Sequence, residues 1–116
     1  MKPSRKHDAM ALAARLRTAL AGHVAVTEKK MFGGVCFLLH DHMLCAASGR
    51  GFMFRVGKAQ NAKALARRGV TQVVMRGRRL EGFVRVDPAR CDARALKGWT
   101  RMAKDYAGAL PRKEKR

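Results

Sequence analysis

The sequence predicts an α+β fold, a mostly antiparallel sheet with helices packed on one side, in the order α-β-β-β-β-α-β-β-α. Three observations carry this. The middle of the chain is a series of short apolar runs separated by tight turn signals, the pattern of successive hairpins. Apolar residues at helical spacing bracket those runs and recur once between them. Glycines at 22 and 69 and Pro111 stand where such helices should stop.

Taken in order, Asp8 suits the N-cap of a first helix, whose apolar positions are Leu12, Ala13, Leu16, Ala19 and Leu20. Arg15 and Arg17 flank that face. Val24 to Phe32 reads as a strand, with Val24, Val26 and Glu28 on one face and Ala25, Thr27 and Lys29 on the other. Met31-Phe32-Gly33-Gly34 then reads as a glycine kink or bulge that lets the chain bend over a helix. Val35 to Leu39 and Met43 to Ala47 flank His40-Asp41. A two-residue loop there sets Leu39 opposite His42, Leu38 opposite Met43, Phe37 opposite Leu44 and Cys36 opposite Cys45. Alternation then places both cysteines on one face with Leu38 and Met43.

Ser48-Gly49-Arg50-Gly51 is the next turn and Phe52 to Val56 the next strand. Ala59, Ala62, Leu65 and Ala66 give a short helix closed by Gly69. Val70 to Arg76 and Phe83 to Val86 read as strands around a Gly77–Gly82 turn. Asp87-Pro88 suits a helix entry. The last helix is expected from about Asp92 to Leu110, with Leu96, Trp99, Ala103, Tyr106 and Leu110 as its apolar stripe. The chain reads as one domain, 1–116, with basic flexible tails at 1–7 and 111–116.

Charge is the compositional outlier. The 116 residues hold 26 Lys and Arg against 8 Asp and Glu, a formal net charge of +18. The excess is spread over both halves, so a basic tail alone does not account for it. Such a field draws polyanions. Three cysteines in no metal spacing suit a reducing compartment, and neither a signal region nor a run of transmembrane length is present in the sequence. The expected location is the cytoplasm.

The run Lys29-Lys30-Met31-Phe32-Gly33-Gly34, the strand Phe52-Met53-Phe54-Arg55-Val56, the short helix ending at Gly69 and the last helix with Trp99 together resemble the N-terminal domain of the TfoX/Sxy competence-regulator family. The likeness runs from about residue 9 to residue 110, and Met31-Phe32-Gly33-Gly34 is its most specific part. It implies the α+β arrangement already derived. It also implies a regulatory role, since full-length members act on natural-transformation genes through a chain with a second, helical C-terminal domain. This chain is expected to be the N-terminal domain alone. The resemblance brings no catalytic residues and no cofactor.

The residues match no familiar catalytic or metal-binding pattern. Gly33-Gly34 precedes a strand, whereas a phosphate-cradling loop is longer and opens a helix. Cys36, Cys45, His40 and His42 do not converge in the expected register, as a tetrahedral metal site requires. No nucleophile, base and orienter stand in a recognisable pattern. The strongest functional pattern is basic. At about 100° per residue, Arg90, Arg94, Lys97, Arg101 and Lys104 fall on one stripe opposite Leu96, Trp99 and Tyr106, and a basic ridge can track phosphates. Arg76, Arg78 and Arg79, with Arg85, form a second basic cluster on the last hairpin. The expectation is therefore a non-enzymatic regulatory or accessory module contacting nucleic acid through these surfaces. The alternative is a protein-interaction or self-association module whose charge has no nucleic-acid role.

Overall fold

The computed structural model describes residues 7–23, 25–31 and 33–111. The elements are α1 (Ala9–Ala19), β1 (Val26–Met31), β2 (Gly34–Leu39), β3 (His42–Ser48), β4 (Gly51–Arg55), α2 (Lys58–Leu65), β5 (Val70–Met75), β6 (Arg78–Val86), a 3-10 turn (Pro88–Arg90) and α3 (Ala93–Gly108). The six strands form one antiparallel sheet in the order β1-β2-β3-β4-β6-β5. The predicted class and element order hold. The chain departs from sequential pairing once. After β4, α2 carries it to the far edge, and β6 returns to lie between β4 and β5.

All three helices contribute to the core on one face of this sheet. Leu12, Ala13 and Leu16 of α1, Ala64 of α2, and Leu96, Trp99, Ala103 and Ala107 of α3 meet Phe37, Leu39, Leu44, Phe52, Phe54 and Val84. The other face carries a smaller cluster of Cys36, Ala46, Met53 and Val73, with Leu38, Met43, Leu80 and Phe83 packed against it. Asp8 caps α1 where the sequence puts it, and α3 is capped by Asp92. The carboxylate of Asp8 accepts from the backbone N–H of Met10 and Ala11, and Asp92 accepts from Ala95, relieving donors that a helix start leaves unpaired. Asp87 caps the 3-10 turn rather than α3.

The glycine pair is not a kink. Met31 pairs with Gly34, so β1 and β2 form a tight hairpin that turns between those two residues. Gly33 supplies the positive φ, 72°. Gly34 is needed for space, since a Cβ built there would lie 2.0 Å from the carbonyl oxygen of Ala47 on β3. Val24 and Phe32, which the sequence placed at the ends of the first strand, lie outside the described residues, as do the tails apart from His7 and Pro111.

The bulge occurs elsewhere, between β2 and β3. Leu39 pairs with His42 and Leu38 with Met43 as expected, but Phe37 then pairs with Cys45 and Cys36 with Ala46. The extra residue on β3 turns Leu44 and Cys45 both toward the helix-side core, while Cys36 stays on the other face. The expected Cys36–Cys45 pair is thereby corrected, because one inserted residue reverses the alternation beyond it. The turn itself, His40-Asp41, has φ of 52° and 67°, the two left-handed residues that such a hairpin demands.

Two other expectations need correction. The final hairpin turns tightly at Arg76-Gly77, and Arg78 to Gly82 belong to β6. In α2, Ala59, Ala62 and Ala66 are exposed and Ala64 is buried. The helix is oriented instead by Asn61. Between the pairs Gln72–Val84 and Val74–Arg79, four residues of β6 oppose Val73 alone. The Gln72 side-chain amide occupies this irregularity, donating to the carbonyls of Leu80 and Phe83 at 2.9 Å each. Asn61 donates to the Gln72 carbonyl at 2.9 Å and accepts from the N–H of Gly82 at 2.8 Å.

Two consequences are measurable. Gly34→Ala should cost roughly 1–3 kcal/mol through overpacking, whereas Gly33→Asn, in open space and with a side chain that tolerates the left-handed region, should cost clearly less. Equal falls in melting temperature would show that crowding against β3 is not the constraint. Gln72→Leu should cost about 1–3 kcal/mol by leaving part-buried partners unpaired, and Thr71→Val, on the exposed neighbour, should stay within about 0.5 kcal/mol of the parent.

Candidate nucleic-acid interface

The basic ridge depends on how α3 is seated. Trp99 stacks on Phe54 with ring centroids 5.6 Å apart and planes at 17°. Leu96, Thr100, Ala103 and Ala107 complete the buried face, and the Thr100 hydroxyl donates to the Lys97 carbonyl. On the opposite face Arg94, Lys97 and Arg101 are exposed and Lys104 is half-buried. Four of the five expected ridge residues are therefore aligned on one helix. Arg90 is not among them. It ends the 3-10 turn, separated from α3 by Cys91 and the Asp92 cap, and its side-chain stem lies where a Cβ on Gly69 would have to go, 2.7 Å from Cγ. Helical projection through a break in the helix misplaced it.

Arg101 also lines a cavity of about 480 Å3 between the start of α2 and α3, with Val56, Gly57, Gln60, Met102 and Tyr106. Asp105 lines it as well, so one acid sits beside the ridge. Gly57 begins α2 with φ of 89°, and a Cβ there would be 2.5 Å from the Tyr106 ring. This glycine lets the two helices approach.

Arg76, Arg78 and Arg79 are exposed at the β5–β6 hairpin, with Arg76 in the turn at φ 52°. Arg85 does not join them. It lies toward the other end of β6, opposite Met53 and Thr71. Burial pushes its pKa down, and Arg50 nearby adds to the effect. The hairpin belongs to the sheet edge beyond β4, whereas α3 packs over β2, β3 and β4. The structure thus keeps the two basic groups in separate regions.

Several cations serve the fold instead. Arg15 donates to the carbonyl of Cys91 and lies 5.2 Å from the Phe52 ring centroid. Arg55 lies over both Phe83 and Tyr106, and Arg67 over Trp99 at 4.4 Å, contacts worth about 0.5–2 kcal/mol by their exposure. These roles require aromatic neighbours distant in sequence, which no local pattern reveals. Arg17 and Glu28 form a bidentate pair on the surface, at 2.6 and 2.8 Å. The pairing raises the arginine and lowers the carboxylate relative to their ordinary ranges.

Cys36, Cys45 and Cys91 are free and buried. His42 lies on the helix side with its Nε2 2.6 Å from the Pro111 carbonyl oxygen. Among the described residues no three His, Cys, Asp or Glu side chains converge as metal ligands would. No described helix is long and apolar enough to cross a membrane.

The family model for the TfoX N-terminal domain matches residues 18–107. The chain belongs to the TfoX N-terminal domain family. The matched segment begins within α1, takes in every strand and ends in the last turn of α3. The family is a regulatory one, which makes this a competence-regulator-like module. No curated protein and no solved structure matches.

Burial raises all three thiols above the usual cysteine range, so each is a neutral thiol at ordinary pH and a poor nucleophile. The native protein should consume no Ellman's reagent at neutral pH on the timescale of mixing, and unfolding in guanidinium should release all 3 thiols. Rapid reaction of any thiol in the native protein would contradict this packing.

Proposed function

We propose that this TfoX N-terminal domain is a cytoplasmic, non-enzymatic regulatory module that contacts nucleic acid through the phosphate backbone, with Arg94, Lys97, Arg101 and Lys104 as the contact surface. The observation that carries the reading is that, among the described residues, no ion pair forms along this ridge. Among the described residues the one ion pair is Arg17–Glu28, far from α3 in the sequence. Asp8, Asp87 and Asp92 are engaged as caps, and within the helical residues of α3 the one acid is Asp105, beside the ridge. A solvated helix back ordinarily mixes both signs, because like charges at i, i+3 and i+4 repel. A phosphate chain relieves that repulsion and releases its own counterions. Arg76, Arg78 and Arg79 lie apart and add to the long-range attraction rather than to the same contact.

This kind of contact reads charge and spacing, so it favours affinity over base preference. Changing Arg94, Lys97, Arg101 and Lys104 to Gln should weaken binding to every duplex alike. It should also reduce the slope of log affinity against log salt by about 0.9 for each lost contact. The control changes Lys2, Arg5, Lys6 and Lys113 to Gln and removes equal charge outside the ridge. Equal losses in the two variants would show diffuse attraction and no site. No binding by the parent at physiological salt would remove the nucleic-acid reading altogether and leave the interaction module.

A further inference from the structure

The two edges of the sheet are built differently. β1, at one edge, has Glu28, Lys29 and Lys30 in succession, and charge on an edge strand is a common guard against pairing with another chain. β5, at the other edge, runs Val70-Thr71-Gln72-Val73-Val74-Met75. It contains no charge, no proline and no glycine, and β-branched residues fill most of it. Such a strand has the composition that pairs readily. The register slip beside it is taken up by four residues of β6 against Val73. The Gln72 side chain turns inward to Asn61 and the β6 carbonyls. Among the described residues no strand pairs with the outer edge. Val74 and Met75 are 48% and 37% exposed.

Both ends of this strand are cationic. Arg68 precedes it, next to Arg67 whose guanidinium lies over Trp99, and Arg76, Arg78 and Arg79 follow it, all exposed. The acids close by in sequence are Glu81, exposed on β6, and Asp87, whose carboxylate accepts from the Ala89 N–H.

We propose that β5 is a docking edge for an extended acidic segment of another protein, which adds a strand to the sheet through backbone hydrogen bonds. The apolar side chains on one of its faces would cover Val74, and its carboxylates would sit between the two arginine groups. The ladder supplies the affinity and the charge supplies the selection. A second copy of this chain is a poor occupant. Antiparallel pairing of two β5 strands would set Arg76, Arg78 and Arg79 of each beside Arg67 and Arg68 of the other, and both chains carry +18. The proposal is independent of the α3 ridge.

The test titrates the isotope-labelled full chain with a short synthetic peptide alternating valine and glutamate, at physiological salt. The expected result is amide shifts confined to residues 67–79, retained when the four ridge residues are Gln. Affinity should drop about tenfold or more when alternate peptide nitrogens are methylated, because that change keeps the charge and removes ladder donors. Four results would each overturn the proposal: no binding; equal binding of the methylated peptide; shifts centred on α3 or β1; or a dimer of the protein alone, seen by sedimentation, that is joined at β5.

Discussion

The seat of Trp99 against Phe54 is the contact on which the arrangement most depends. Phe54 lies in the strand at the middle of the sheet, paired on one side with Cys45 and on the other with Val84. Its ring also meets Phe52 at 6.0 Å. The indole stacked on it fixes both the position of α3 and its rotation about its own axis. Burying an aromatic of this size contributes about 1.5–3 kcal/mol, and the stacking adds about 0.5–1.5. Once the face with Leu96, Trp99 and Ala103 is committed to the core, the residues at the opposite phase have no place but the surface. The outward set of Arg94, Lys97 and Arg101 is thus a consequence of the packing of Trp99.

That dependence explains why the ridge could be read from the sequence. A helix of sixteen residues with a clear apolar stripe leaves its polar stripe little freedom. The same reasoning failed at Arg90, because the helical phase does not continue through the Asp92 cap. In the sheet, strands and turns were legible wherever alternation ran unbroken, as from Leu39 across His40-Asp41 to Met43. Beyond Met43 it misled. The bulge that turns Leu44 and Cys45 inward together has no glycine or proline to mark it. Gly33-Gly34, which did look like a bulge, forms a hairpin loop and a close approach to Ala47. A glycine reports that space or positive φ is needed, not which of the two.

The placement of α2 was hidden for another reason. Its alanines looked like an apolar stripe, yet the helix is positioned by Asn61 through Gln72 and the Gly82 N–H. Polar residues in such places resemble surface residues in a sequence, and their partners become apparent only once β5 and β6 lie side by side. This network also shapes the functional geography. It holds β6 in its irregular path beside β5, the uncharged edge of the sheet. The two surfaces of interest therefore have separate structural origins, one in the aromatic stack under α3 and the other in the amide network beneath α2.

The central claim is that the outward face of α3 is the surface that meets phosphate. Lysine footprinting tests it without altering the protein. Lys97 and Lys104 lie on the ridge, Lys29 and Lys30 on β1, and Lys58 and Lys63 on α2. The chain is acetylated briefly with and without a mixed-sequence duplex at physiological salt, and each lysine is quantified by mass spectrometry. The account predicts that the duplex protects Lys97 and Lys104 and leaves Lys29 and Lys30 as reactive as before. Uniform protection of all six lysines, or protection that spares Lys97 and Lys104, would contradict it.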